Sequence, residues 1–277
     1  MGIRINTNVA SIAAQRAMSL TNKRVGDNLR KLSSGERITK AGDDAAGLAI
    51  SENLKAQIRG MRQAKRNAND AISLVQVAEG GLNEVSNIII RLRELAVQTA
   101  SDTIGDTERA FSDIEFQQLK EEIDRIAKSS NFNGTQLLDG TGGKLEFQVG
   151  IHNDPMLDRL TYDAAGSDAT ITALGLASDS VSTKEGSQAV LQKLDDALVA
   201  VNGYRASMGA LQNRLTSTVN NLGISDENLS AAKSRIRDVD VAKETADMTK
   251  NNILIQAGAS VLGQANQVPN VALKLIG

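Results

Sequence analysis

The stretch LKAQIRGMRQAKRNANDAISLVQVAEGGLNEVSNIIIRLRELA, residues 54–96, carries an apolar residue at every seventh position: Leu54, Met61, Ala68, Val75, Leu82, Ile89 and Ala96. A second ladder of the same kind reads Leu194, Val201, Met208, Leu215, Leu222, Leu229 and Ile236. A strict seven-residue period keeps one seam of a slightly underwound helix toward a partner, so each ladder reads as one arm of a coiled coil. Beside the first ladder, Ala64, Ala71, Ala78, Val85 and Leu92 fill the other seam position, and the small residues in its first half permit close approach. Between Asp44 and about Ala100 only internal glycines oppose a helix, at roughly 1 kcal/mol each. If continuous, that helix is about 85 Å long.

Outward from the ladders, a helix over Asn8–Leu32 places Met18, Val25 and Leu32 one heptad apart, and Ser33-Ser34-Gly35 ends it. Asp43-Asp44 supplies N-caps for the long helix. A third helix spans Thr107–Ser129, with Phe111, Ile114, Leu119, Ile123 and Ile126 on one face. Asn131-Phe132-Asn133-Gly134 is a turn signal. Lys144–Val149 alternates as a strand does and pairs with Arg159–Tyr162 across a loop containing Pro155. The polar stretch 163–186 reads as loop. Helix resumes at Ser187 and runs to about Leu222, and a last helix runs from about Asp226 toward Gln267, where Pro269 stops it.

That last helix carries one apolar stripe of Val241, Met248, Ile255 and Leu262, and another of Val239, Ala246 and Ile253. Leu254, Ala257, Ala259, Val261 and Ala265 fill most of the remaining circumference near its end. A helix apolar on nearly all sides needs more cover than one partner supplies. The termini are therefore predicted to order only on assembly. The fold class that follows is mainly α: a long antiparallel coiled-coil helical bundle with a small β-hairpin region and paired N- and C-terminal helices. Residues 1–43 with 235–277 form a terminal coiled-coil domain, and 44–234 form a helical arm with a hairpin and loop insert at about 138–186.

Composition narrows the function. The 277 residues include no Cys, no Trp and only two prolines, with 2% aromatic residues and a formal net charge of −2. The apolar residues are mainly Ala, Leu, Ile and Val, which suit narrow helix–helix seams. Absence of Cys removes disulfides and thiol-based metal or redox chemistry. The charge balance argues against nucleic acid or an anionic membrane as the main partner. No run has the length of a membrane span, so membrane insertion is not expected. The opening residues lack the basic and apolar regions of a cleavable signal peptide, which makes a cytoplasmic location the default unless a signal-independent route exports the chain.

Chemistry-bearing constellations are lacking. His152, the only histidine, sits beside Asn153 and Asp154 in a turn and has no companion ligands. Gly142-Gly143-Lys144 has neither the spacing nor the hydroxyl of a phosphate loop. Glu121, Glu122 and Asp124 share a helix with Lys120 and Arg125, as on a solvated charged face. No catalytic, cofactor-binding or metal residues are assigned, and no cofactor is expected. A signalling coiled-coil hairpin would need membrane spans and a tight helical tip, and neither is present.

Several motifs carry a resemblance. Ile5-Asn6-Thr7-Asn8-Val9-Ala10-Ser11, Leu32-Ser33-Ser34-Gly35 and Gly42-Asp43-Asp44-Ala45-Ala46-Gly47-Leu48-Ala49-Ile50-Ser51 resemble bacterial flagellins. So do Arg66-Asn67-Ala68-Asn69-Asp70 through Glu84, Arg93-Glu94-Leu95-Ala96-Val97-Gln98 and Phe132-Asn133-Gly134 with Leu137-Leu138. At the other end Glu227-Asn228-Leu229-Ser230-Ala231-Ala232, Ser234-Arg235-Ile236-Arg237-Asp238-Val239-Asp240 and Gln264-Ala265-Asn266-Gln267 match as well. The motifs span roughly the first 140 and last 90 residues, in order.

The resemblance implies a structural subunit that self-assembles into the helical flagellar filament, a homopolymer that drives swimming. It implies type III export without a cleaved signal, an extracellular location, and a dedicated export chaperone for the C-terminal helix. Filament cap and junction proteins would be further partners, and a hook–filament junction protein sharing the terminal helices is the alternative identity. By this reading the two ladders are the intramolecular seam, while Met18, Val25, Leu32, Val241, Met248, Ile255, Val261 and Leu262 form the filament-core and chaperone face. Ile90, Arg91, Leu95, Gln98 and Glu115 fall where a Toll-like immune receptor or a neighbouring subunit would touch. Ile88-Ile89-Ile90 is unusually apolar for the family, and only Ile89 is on the seam. The short span between Leu137 and Ser187 leaves no room for a large outer domain.

Overall fold

A computed structural model describes residues 7–274, with side chains to residue 267. The described chain is mainly helical. Its helices are α1 (Val9–Ser34), α2 (Ala45–Thr99), α3 (Asp106–Ser129), α4 (Lys184–Arg237) and α5 (Val241–Lys274). Two small antiparallel hairpins, β1 (Asn131–Phe132) with β2 (Thr135–Gln136) and β3 (Lys144–Gln148) with β4 (Arg159–Asp163), lie between α3 and α4. The chain divides into two compact units, residues 57–227 and residues 1–56 with 228–277.

In the 57–227 unit the ladders meet as the period dictates. Ala68, Val75, Leu82, Ile89 and Ala96 of α2 are fully buried in one cluster with Leu194, Val201, Met208 and Leu215 of α4. Met61 and Leu222, nearer the ends of the ladders, are half-buried. Two ion pairs match the antiparallel register: Arg62 Nε lies 3.0 Å from Asp226 Oδ2, and Arg93 Nε lies 2.7 Å from Asp195 Oδ1. The partners are equally spaced along the two helices, as one continuous register requires. Gly81 has a packing reason that offsets its helix penalty. A Cβ there would sit 2.7 Å from Ser130 Oγ and 2.9 Å from Leu138 Cδ1.

Helix α3 contributes a different face from the one expected. Phe116, Ile123 and Ala127 are fully buried, with Leu119 and Ile126 packed at the edge of the cluster. Phe111 and Ile114 point outward. The apolar residues of α3 thus cover two faces, and only the C-terminal set matches the arms. Arg109 closes the α2–α3 corner, donating from Nε to the Thr99 carbonyl and from Nη2 to the Ser101 carbonyl, both at 2.9 Å. The Thr99 carbonyl is one left without a helical partner at the end of α2, and that of Ser101 lies in the turn beyond it. The β1–β2 turn places Asn133 and Gly134 at φ 51° and 82°, the pattern of a type I′ hairpin. In the β3–β4 pair Leu145 faces Tyr162 and Phe147 faces Leu160, and Tyr162 donates to the Leu137 carbonyl at 2.9 Å.

In the other unit α1 and α5 pack together, and the breaks that end α1 and begin α5 are themselves paired. Gly35 takes φ 70° as the left-handed C-cap of α1. Its carbonyl accepts from Val239 N at 3.0 Å, Arg37 N donates to the Arg237 carbonyl at 2.6 Å, and Glu36 bridges to Asp238. Arg237 lies between Glu36, at 2.8 Å, and Glu52. Asp240 caps α5 through Lys243 N at 3.1 Å, and Asp44 caps α2 through Gly47 N at 2.9 Å. Asp43, expected as a second cap, instead accepts from Thr39 N at 3.1 Å and Lys40 N at 3.2 Å, holding the turn before α2. Leu54, Leu229 and Ile236, the ladder residues of this unit, are half-buried.

Two helix ends differ from expectation. Helix α4 runs unbroken through Leu222–Asp226, because Gly223 costs only about 1 kcal/mol within a long helix that tertiary packing holds. The break comes at Asp238-Val239-Asp240, where the backbone turns to bond Gly35 and Arg37. Helix α5 passes Pro269 and continues to Lys274. Proline removes one intrahelical hydrogen bond, and the orphaned carbonyl, that of Ala265, accepts from Asn8 Nδ2 at 2.8 Å instead.

Candidate functional site

The α1–α5 pair is built with its polarity inverted. Along α1, Ser11, Ala14, Met18, Thr21, Val25, Asn28 and Leu32 are buried or half-buried and alternate three and four residues apart. Along α5 the same holds for Glu244, Met248, Asn251, Ile255, Gly258, Leu262 and Ala265. Both are coiled-coil seams. The most buried side chains on them are polar or small: Ser11, Asn28, Glu244, Asn251 and Ala265. Asn28 Nδ2 donates to Glu244 Oε1 at 2.6 Å, and Asn28 Oδ1 accepts from Asn251 Nδ2 at 3.0 Å. Ser11 Oγ lies 2.8 Å from Asn266 Oδ1.

Large apolar side chains face outward. Ile12, Leu20 and Leu29 are 57%, 54% and 60% exposed on α1, and Ile253, Leu254 and Val261 are exposed on α5. A soluble two-helix pair places such residues inside. This arrangement divides the expected core-and-chaperone face. Met18, Val25, Leu32, Met248, Ile255 and Leu262 lie half-buried on the seam between α1 and α5, whereas Val241 and Val261 face out. Selecting only apolar residues at seven-residue spacing locates the seam but misses Val9, Ile12, Leu20 and Leu29. The seam's full three-four alternation, including Ser11, Thr21 and Asn28, is the signal that would have found them. α1 and α5 cover only one side of each other, and the outward apolar faces are left without cover within the chain.

A second exposed face lies where α2 and α3 meet. Arg91 Nη2 lies 2.9 Å from Glu115 Oε1 and Nη1 lies 3.0 Å from Glu94 Oε2. These hydrogen bonds, first that to Glu94, hold the guanidinium above its usual pKa. Ile90, Arg93, Glu94, Val97 and Gln98 line a shallow depression beside the pair. Of the five residues expected at a contact, Ile90, Arg91, Gln98 and Glu115 are exposed. Leu95 is only 2% exposed and belongs to the core, because it follows the second seam position, Leu92, by three residues. Val97, Phe111 and Ile114 extend the exposed apolar surface and were not anticipated. Ile88 packs against the core, leaving Ile90 as the outward member of the isoleucine run.

The remaining charged features are structural. Lys120, expected on a solvated face, is buried. Its Nζ donates to the carbonyls of Ala177 at 3.0 Å and Asp179 at 2.7 Å, pinning the loop before α4, and burial lowers its pKa. Asp124 accepts from Ile171 N at 3.3 Å, and Glu122 pairs with Arg125. Gly142 sits where a Cβ would come 2.0 Å from the Gln136 carbonyl, a packing requirement of the turn. His152 is exposed. Among the described residues no group of three or more His, Asp or Glu is placed to hold a metal ion, and no helix is long and apolar enough to cross a membrane.

Comparison with known proteins gives a consistent family. The family model for the bacterial flagellin N-terminal helical region matches residues 5–142, and that for the bacterial flagellin C-terminal helical region matches residues 191–276. The chain is 45% identical to a flagellin of Halalkalibacterium halodurans over 98% of its own length and 99% of the relative's. It is 43% identical to a flagellin of Bacillus subtilis, covering 99% of this chain and 100% of that one. It is also 43% identical to the flagellar filament 33 kDa core protein of Treponema phagedenis, covering 98% and 99%. The crystal structure of Bacillus cereus flagellin superposes with a TM-score of 0.51 at 34% identity, covering 57% of this chain and 88% of that one.

Proposed function

Since the chain belongs to the bacterial flagellin family and is a structural subunit of the flagellar filament, we propose that it polymerises through the outward apolar faces of α1 and α5, covered by other copies of itself. The carrying observation is the inverted pair: polar groups meet in its seam while Ile12, Leu20, Leu29, Ile253, Leu254 and Val261 face out. A surface of this kind is stable only when covered. Heterologous contacts that do not close on themselves give open helical assemblies.

We place the filament core in residues 1–43 with 235–277 and the arm in 44–234. Before assembly an export chaperone covers the α5 face, and cap and junction proteins cover it at the filament ends. The chain leaves the cell and takes its place in the extracellular filament. The Arg91–Glu115 face, with Ile90 and Gln98, contacts a neighbouring subunit and is the surface open to a Toll-like receptor. The role is structural, and no reaction is assigned.

Seeded growth tests the reading. Heat-dissociated subunits added to filament fragments should extend them into long helical fibres under the electron microscope. Leu20→Ser with Leu254→Ser should abolish extension while leaving the 57–227 unit folded. Unchanged growth of that variant would overturn the proposed surface, and growth that stops after one added layer would mark a junction protein instead.

A further inference from the structure

The seams of α1 and α5 pose a problem that their apolar residues cannot solve. Met18, Val25 and Leu32 repeat every seven residues, and so do Met248, Ile255 and Leu262. Sliding one helix past the other by a heptad brings an equivalent set of apolar contacts together. Apolar packing alone is therefore nearly degenerate between registers about 10 Å apart.

The polar seam residues break that degeneracy. Asn28 lies between Glu244 and Asn251, which are themselves one heptad apart, and bonds both: its amide donates to Glu244 Oε1 at 2.6 Å and its oxygen accepts from Asn251 Nδ2 at 3.0 Å. Lys31 Nζ stands 3.5 Å from Glu244 Oε1 and compensates the carboxylate. All three network residues are buried. A shift of one heptad in one direction sets Asn28 between Asn251 and Gly258, away from Glu244. A shift in the other withdraws it from Asn251. Either leaves a buried amide or carboxylate without its partner, the costly outcome for a polar group in a seam.

We propose that Asn28, Glu244 and Asn251 are the register-setting residues of the terminal helix pair, and hence positioning residues for filament assembly. This rests on the filament surface proposed above. The register decides which outward residues of α1 stand level with which of α5. With Met18 opposite Gly258, Leu20 lies at nearly the height of Leu254, and a heptad slip separates them by about 10 Å. The rival determinants are the contacts at the two ends of the pair: the backbone pairing of Gly35 with Val239 at one, and the bonds of Asn8 to the Ala265 carbonyl and of Ser11 to Asn266 at the other.

Cysteine trapping separates these from the polar network, because the chain has no native Cys. A Cβ on Gly258 would sit 4.0 Å from Met18 Cβ, within disulfide range. Met18→Cys with Gly258→Cys therefore reports the native register. Ser11→Cys with Gly258→Cys, and Val25→Cys with Gly258→Cys, report the slips by one heptad in each direction. In full-length dissociated subunits under mild oxidation, the native pair should cross-link at least about tenfold more than either slipped pair. Adding Asn28→Leu, Glu244→Leu and Asn251→Leu should bring a slipped pair to within about twofold of the native one, with helix content by circular dichroism undiminished. Asn28→Leu alone should move the ratio the same way. A triple variant that still cross-links only 18 with 258 overturns the proposal and assigns register to the contacts at the ends of the pair. Seeded growth by the unsubstituted chain is scored separately, so failure of the filament surface is distinguishable from failure of the register assignment.

Discussion

Asn8 Nδ2 donates to the main-chain carbonyl of Ala265 at 2.8 Å, and that carbonyl is the one Pro269, four residues on and lacking an N–H, cannot serve. The same side chain caps α1, its Oδ1 accepting from Ser11 N at 3.0 Å. One residue thus closes the start of one terminal helix and repairs a defect in the other. Asn8→Ala should cost the terminal pair about 1 kcal/mol for the lost cap and up to about 1–2 kcal/mol more for the stranded carbonyl. Pro269→Ala restores the intrahelical donor, so the second part of the loss should vanish in the double variant. A double-mutant cycle on the melting of the terminal helices checks this, and strict additivity would refute the pairing.

The arm seam gives a sharper gradient. Leu82 of α2 is fully buried in the arm core, whereas Leu222 is half-buried near the end of the second ladder. Leu82→Ala should destabilise the 57–227 unit by about 2–5 kcal/mol, and Leu222→Ala by clearly less. Urea unfolding at constant slope decides it. Equal losses would mean that the seam is packed uniformly along its length.

Ile90 contributes exposed surface and Ile89 contributes core, although they are adjacent in sequence. Ile90→Asn should leave subunit stability within about 0.5 kcal/mol yet raise the concentration of subunit needed for filament growth. If growth and filament melting are unaltered, Ile90 is not a subunit contact.

Hydrogen exchange on dissociated subunits should distinguish the two units. Amides of α1 and α5, backed by a partly polar seam, should exchange well before those around Val75–Leu92, where the backbone is covered on several sides. In filaments the terminal amides should gain protection. Terminal amides already as protected as the arm core in free subunits would show that the pair needs no cover.

The arms were legible because a seven-residue apolar period is the packing geometry itself, written into Leu54–Ala96 and Leu194–Ile236. Alternation pointed to the pairing of Lys144–Val149 with Arg159–Tyr162, which forms as Lys144–Gln148 with Arg159–Asp163. What local sequence could not reveal is whatever depends on a distant partner. The break at Asp238–Asp240 is specified by backbone bonds to Gly35 and Arg37, and the passage of α5 beyond Pro269 is made possible by Asn8. The seam of α1 was hidden for another reason. Ser11, Thr21 and Asn28 occupy positions that an apolar search skips, so the outward leucines and isoleucines went unseen.

Acid should weaken the fold through carboxylates that donors hold below their ordinary pKa. Hydrogen bonds, first that from Arg237, lower Glu52 below the usual 4.5. Hydrogen bonding to Arg93 lowers Asp195, and to Lys184 lowers Asp102, below the usual 3.8. A carboxylate whose folded pKa is depressed binds protons more weakly in the folded state than in the unfolded one. Its contribution is complete above the unfolded value and disappears as pH falls through the folded value. Stability should therefore change little through these groups between pH 7 and about 5, then fall below about 4.5. All three are solvent-exposed, so the loss should shrink as salt is raised. Arg93→Gln removes the donor that depresses Asp195, so the acid slope of the 57–227 unit should flatten while its stability at pH 7 drops only slightly. Urea midpoints at several pH values, for the unsubstituted chain and the variant, measure both effects. An unchanged slope in Arg93→Gln would show that the Arg93–Asp195 pair is not one of the groups sensing acid.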